Sequence, residues 1–308
     1  MISISHKAKQ FLVLLLKLLI VGGAFYFIYN QLATNSKLSW SVFIEKFKAN
    51  LSVTGLAFLL FLSFLNRFLE ILKWQNLIKV IRKISVGEAS KQVLGALTAA
   101  LFTPNGIGEY VGKTLFFEKN QAKKVIFLNL ICNGIQMILT VLFGVIGLWI
   151  LGFRFWVSMI LLALIGIFTL VMLSKKITIK GYSLEKLIRK INEIPKYIHK
   201  KNIFLAIGRY LVFSHQYYFL FLIFDVHIPY IILMATITTV YFLASSLPTF
   251  QFLDFAVKGS VAIYFFGLLG VNEWLILFIS SLMWLLNVVL PVLIGSYFVI
   301  NFKPQWKQ

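Results

Sequence analysis

Two carboxylates, each followed one helical turn later by a lysine, stand inside hydrophobic stretches of this chain: Glu109 with Lys113, and Asp254 with Lys258. The i,i+4 spacing puts the members of each pair on one helix face. A charge in hydrocarbon costs a few kcal/mol or more, so such residues face a polar cavity, a partner or protein interior. Two chemistries fit. Each pair contacts the charged headgroup of a substrate, or each neutralises itself so that a broken helix can stay in the membrane.

The surroundings of the two pairs are similar. LTAALFTPNGIGEYVGKTLFF (97–117) and YFLASSLPTFQFLDFAVKGSVAIYFF (241–266) are apolar runs that stop at a proline, Pro104 or Pro248, meet the acid and the lysine, and resume. Proline and glycine break helices, and irregular backbone at membrane depth is tolerated where it lines a cavity or is buried in protein. Gly106 and Gly108 allow a tight turn and close backbone approach. Pro104 and Asn105 fit a turn that starts a new helix, whose free N–H groups suit an anionic group.

Other polar residues fall within apolar segments. Asn66, Arg67 and Glu70 share a helix face, with Arg67 and Glu70 at pairing distance i,i+3. Arg67 either belongs to an intramembrane site or snorkels to the interface beside Trp74 as an aromatic anchor. Arg209 lies in another span, with His215 and Gln216 deeper in it. His215 can relay protons, contact a phosphate, or simply hydrogen-bond a neighbouring helix. Asn129, Asn133, Gln136 and Asn287 read first as interhelical hydrogen-bonding residues and second as a cavity lining. The chain has no HExxH, no GxSxG and no carboxylate cluster of metal-site type, so neither an enzyme nor a cofactor or metal is expected. The single cysteine, Cys132, cannot form an internal disulfide.

The elements that must position these residues are membrane helices. Hydrophobic residues make up 60% of the 308, and the 13% that are charged cluster between apolar runs, which excludes a soluble domain. The formal charge of +20 sits in short loops beside the spans, a topology signal rather than a nucleic-acid footprint. Full spans are expected at roughly 11–33, 51–73, 124–151, 155–173, 203–224 and 272–300. The N-terminal one reads as a retained span, its core being too long for a signal peptide. Broken segments fall at about 89–119 and 230–270, each a re-entrant hairpin or a pair of short crossings. The basic loops place both termini and the 174–202 loop in the cytoplasm. The second span then runs inward and the fifth outward, so the span–break–span unit occurs twice in opposite sense, over roughly 51–151 and 203–300. An inverted repeat of this kind places a binding site near the midplane. Within 174–202, Leu184, Leu187, Ile188 and Ile191 recur at helical spacing with basic residues opposite. That suits a helix on an anionic membrane surface, or a solvated connector.

NRFLEILKW followed by TPNGIGEYVGK, close to an LPGRxGE-style motif, resembles the lysylphosphatidylglycerol synthase transmembrane region, also called the flippase-like membrane family. SSLPTFQFLDFAVKGS resembles that family's second proline–acid element, with Asp254 where glutamate is usual. The resemblance covers about 10–300. It implies that Glu109 and Asp254 match the acidic motif positions and Lys113 and Lys258 the basic ones. It also implies the translocating half of a bifunctional protein without the soluble aminoacylating domain, since the sequence stops at Gln308.

The expectation is therefore an all-α polytopic protein of the inner (plasma) membrane, forming a single flippase-like transmembrane domain over 1–308. It moves a lipid or amphipathic headgroup through a central polar cavity lined by Glu109, Lys113, Asp254, Lys258, Arg67, Glu70, Arg209 and His215. Its partners are a membrane phospholipid or other lipid-linked substrate, anionic headgroups at the basic loop, and a second copy of the chain as the one candidate assembly; nucleic acid is excluded. The rivals are a secondary transporter of a small solute and a non-transporting accessory protein for a lipid-modifying enzyme.

Overall fold

A computed structural model describes residues 52–101, 103, 106–175, 177, 183–247, 252 and 254–302, with Phe11 and Leu15. The expected first span beyond those two residues, the 34–50 loop, Pro104, Asn105, Pro248 and the side chain of Asp254 lie outside that description. All regular secondary structure among the described residues is helical, with no strand.

The first helix, α1 (Val53–Ile78), starts where the Ser52 hydroxyl accepts the Gly55 N–H at 3.0 Å, one of the orphan donors of a helix start. Then come α2 (Val86–Ala100), α3 (Ile107–Thr114), α4 (Ala122–Ile150), α5 (Arg154–Leu173), α6 (Leu184–Asn192) and α7 (Lys196–Ile223). The series closes with α8 (Tyr230–Ser246), α9 (Asp254–Gly267) and α10 (Glu273–Ile300), the last containing a π-helical turn at Leu285–Val289. Among the described residues α1, α4, α5 and α10 are long and apolar enough to cross a membrane. The expected 203–224 span falls in α7 up to its C-cap at Phe224, and at 28 residues that helix is about 42 Å long. It is ample in length, but Arg209, His215, Gln216 and its basic first turns make it less apolar than those four.

Both broken segments are helical hairpins. The arms α2 (15 residues) and α3 (8 residues) are about 22 and 12 Å long, short of a hydrocarbon core of about 30 Å. They pack side by side because the contact residues are small: a Cβ on Gly112 would sit 3.1 Å from Ala96 Cα, and one on Gly108 would sit 2.5 Å from the Ala99 oxygen. Gly106 opens α3 at φ 68°, a left-handed conformation that glycine adopts without penalty. The Thr103 hydroxyl takes the Gly108 N–H at 2.7 Å, supplying the cap that Gly106 cannot. The arms of the second hairpin, α8 and α9, likewise touch one another.

At the centre α1 and α7 lie antiparallel. Gln216 near the end of α7 donates to the Leu59 oxygen near the start of α1, while Asn76 near the end of α1 donates to the Ile198 oxygen near the start of α7. Outside them, α8 packs on α4 and α2 packs on the second half of α10. Both contacts are close: a Cβ on Gly147 would meet the Ala235 oxygen at 2.5 Å, and one on Gly295 would meet the Leu94 oxygen at 2.3 Å. The two largest apolar clusters form most of the core. One gathers Leu59, Leu148, Leu220, Ile237, Phe266 and Ile279; the other gathers Ile71, Trp74, Val93, Val125, Leu128 and Ile198. The helix α6 exists as expected, capped by Ser183 and with no buried residue, Glu185 in its first turn and Arg189 and Lys190 in its last. Such charge placement favours both ends of the helix dipole.

Candidate functional site

Along α1, Leu59 belongs to one apolar cluster and Ile71 to the other; Asn66, Arg67 and Glu70, between them, line a cavity of about 610 Å³. Glu109 of α3, Arg209 of α7 and Lys258 of α9 line it too. Five of the eight charged or histidine positions expected from the sequence therefore meet in one space, brought by four helices from both halves of the chain.

The centre is a charge cluster. Arg67 pairs with Glu70, and Arg209 Nη2 approaches the same Glu70 oxygen at 3.3 Å. Two guanidiniums thus share one carboxylate. Arg67 Nη2 also donates to the backbone oxygen of Asn287 at 2.6 Å. That carbonyl is available for a local reason: Pro291, four residues on, has no N–H to return to it. Around the ions runs a chain of amides. Arg209 Nε donates to Asn66 (3.1 Å), Asn66 to Asn287 (2.7 Å), and Asn287 to Gln216 (2.9 Å), which in turn donates to Ser63 (2.7 Å). Buried polar groups with several partners are held rigidly, so the charges are preorganised.

Lys113 sits behind the cavity wall, fully buried, where it donates to Glu109 (2.6 Å) and Asn129 (2.7 Å) and lies 4.4 Å from the Trp74 ring centre. Within this pair, the lysine neutralises and anchors while the carboxylate lines the cavity. Lys258 lies 5.8 and 5.9 Å from the ring centres of Phe213 and Tyr241. Trp74 is no interfacial anchor: it is buried, and its indole N–H donates to Gln92 at 2.7 Å. Arg67 does not snorkel; its side chain is only 12% exposed, and its two terminal nitrogens bond to Glu70 and Asn287 inside the bundle.

His215 is the clear correction. It does not line the cavity, and its ring nitrogens meet the Leu211 oxygen and the Tyr230 hydroxyl, both at 2.8 Å, on another face of α7. The reason is angular, since six residues beyond Arg209 a helix has turned about 600°, which points the side chain well away from it. Gln216, one residue on, takes the interior position instead.

Sequence reasoning undervalued three residues. Asn287 and Gln216 complete the amide chain, and Lys73, fully buried, donates to the cavity-lining Gln136 at 3.3 Å. The spacing 66, 70, 73 was the available signal, being one helix stripe. Aromatic side chains form the remaining wall, including Tyr217, Tyr241 and Trp284. Among the described residues no three of His, Cys, Asp or Glu gather as metal ligands. Part of the rim is apolar and open: Leu130, Met137 and Leu247 line the cavity yet are 50%, 59% and 48% exposed. No family model, curated protein or solved structure matches the chain.

Proposed function

We propose that this chain is a translocase of a lipid or other amphipathic molecule, holding a charged headgroup in the central cavity while its apolar part stays in the bilayer. The observation that carries the reading is the contrast within one cavity. Its floor holds Arg67, Glu70, Glu109 and Arg209, while Leu130, Met137 and Leu247 give it an exposed apolar flank. An amphipathic ligand needs both, whereas a small solute in a membrane carrier calls for a polar site closed to lipid.

The architecture supports alternation. Exchanging α1–α4 with α7–α10 maps the contacts onto one another: α2 on α3 becomes α8 on α9, α8 on α4 becomes α2 on α10, and the antiparallel α1–α7 contact maps onto itself. We read this as an inverted repeat in the plasma membrane, with the basic loops and both chain ends cytoplasmic and the two hairpins entering from opposite sides. Rocking of one unit against the other then exposes the Arg67–Arg209 centre to each leaflet in turn. The resemblance to the lysylphosphatidylglycerol synthase transmembrane region supports the same proposal.

The test is leaflet exchange of a fluorescent phospholipid in proteoliposomes, read by dithionite quenching. Exchange faster than in protein-free vesicles is expected for the wild type, and Glu109→Gln and Arg209→Gln are expected to slow it at least about tenfold, the worth of one charged hydrogen bond. Equal exchange with and without protein would refute the proposal.

A further inference from the structure

The sign of the ligand follows from a further reading of the same cavity; it rests on the proposed headgroup site but concerns only the ligand's chemistry. We infer that the group seated there is an anionic oxyacid, a phosphodiester or a carboxylate, received by the guanidiniums of Arg67 and Arg209, and that a cationic headgroup is disfavoured.

The first observation is that Glu70 is shared. One carboxylate oxygen takes both arginines, so one guanidinium's charge goes uncompensated at the cavity floor. Arg209 is the more accessible of the two, 20% exposed against 12% for Arg67. The second observation is that hydrogen-bond donors here lack acceptors. Arg67 Nε and the Trp284 indole nitrogen are buried without a hydrogen-bond partner, and both residues line the cavity. Indole and guanidinium nitrogens can only donate.

The third is the charge sum. Leaving Lys258 out of the count, Arg67, Lys73, Lys113 and Arg209 stand with Glu70 and Glu109 among the described residues of this cluster, a formal surplus of two positive charges. An entering cation would add to a surplus that low-dielectric surroundings hardly screen. An anion with several oxygens would relieve it. The planar fork of arginine matches phosphate and carboxylate oxygens in pairs, where an ammonium offers only a point charge. Glu70 is the internal counterion of both guanidiniums.

A phospholipid headgroup and a free organic phosphate offer the same oxygens, and the test separates them. The chain in detergent is titrated with dihexanoyl phosphatidylglycerol, with the lysylated form of that lipid, and with glycerol 3-phosphate, binding being read by native mass spectrometry. Phosphatidylglycerol is expected to bind at least about tenfold more tightly than its lysylated form, and Arg209→Gln to weaken it by about tenfold while Arg209→Lys retains part of the affinity. Equal or tighter binding of the lysylated lipid overturns the inference and leaves the translocase proposal standing. Glycerol 3-phosphate binding as tightly as the lipid supports the anion site and sinks the lipid reading instead. Absence of binding by all three overturns both. If Arg209→Gln fails to fold, the ranking of the three ligands on the wild type decides alone.

Discussion

Replacing Glu70 with glutamine tests whether the charge cluster is a single unit. The carboxylate side chain is 8% exposed and is the shared partner of Arg67 and of Arg209, the latter at 3.3 Å. At an effective dielectric constant of about 20, one such contact is worth about 5 kcal/mol before desolvation is subtracted. Removing one partner of a buried ion pair costs about 3–5 kcal/mol, because the remaining charge is left uncompensated. Glu70→Gln leaves two guanidiniums facing one another, so the upper part of that range applies. In a chain of this size that corresponds to a fall of roughly 5–10 °C in melting temperature. The assay is thermal unfolding of purified protein in detergent, followed by tryptophan fluorescence, for Glu70→Gln, Arg209→Gln and the double variant. The double variant, with one guanidinium fewer, should melt higher than Glu70→Gln alone, a coupling of about 1–3 kcal/mol. Strict additivity of the two substitutions, or a Glu70→Gln variant as stable as wild type, would refute the shared-carboxylate reasoning.

Other outcomes follow from packing and topology. Gly147→Ala and Gly295→Ala each drive a Cβ to within 2.5 Å of a facing carbonyl oxygen and should cost about 1–3 kcal/mol. Gly166→Ala meets nothing within 4 Å and should be neutral or stabilising by up to about 1 kcal/mol, read in the same melting assay. Cys132 is the single cysteine and is buried, so an impermeant maleimide should leave the parent chain unlabelled. In whole cells Glu273→Cys should label from outside, and Lys190→Cys only after permeabilisation; identical labelling of the two would overturn the assigned orientation. Gly106→Ala, at φ 68°, should cost about 1–2 kcal/mol and loosen the first hairpin, seen as faster hydrogen exchange in α3.

Much of this was legible from local spacing. Helices α1, α4, α5 and α10 follow runs of apolar residues close to their observed bounds, and the Glu109–Lys113 pair forms at the i,i+4 distance its spacing demands. The amphipathic α6 likewise announced itself through leucine and isoleucine spacing. What local pattern could not supply was facing. Asn287 meets Arg67 across 220 positions of sequence, and its role depends on a π-helical turn and on Pro291 freeing a carbonyl. His215 and Gln216 are neighbours in sequence, yet only the second turns inward, a choice set by which face of α7 packs against α1. A linear reading expects Lys113 at the cavity and gives Lys73 no role; the burial of both arises from the packing of α1, α3 and α4.

The most direct measurement is where a lipid headgroup touches the chain. Protein in native-like membranes is irradiated with a phospholipid carrying a photoactivatable diazirine in its headgroup, and adducts are located by peptide mass spectrometry. Adducts concentrated on cavity residues such as Tyr110, Tyr241 and Met137 are the predicted result. Adducts spread instead along the outward, exposed face of α5, at Leu162, Ile165 and Phe168, with none in the cavity, would contradict it.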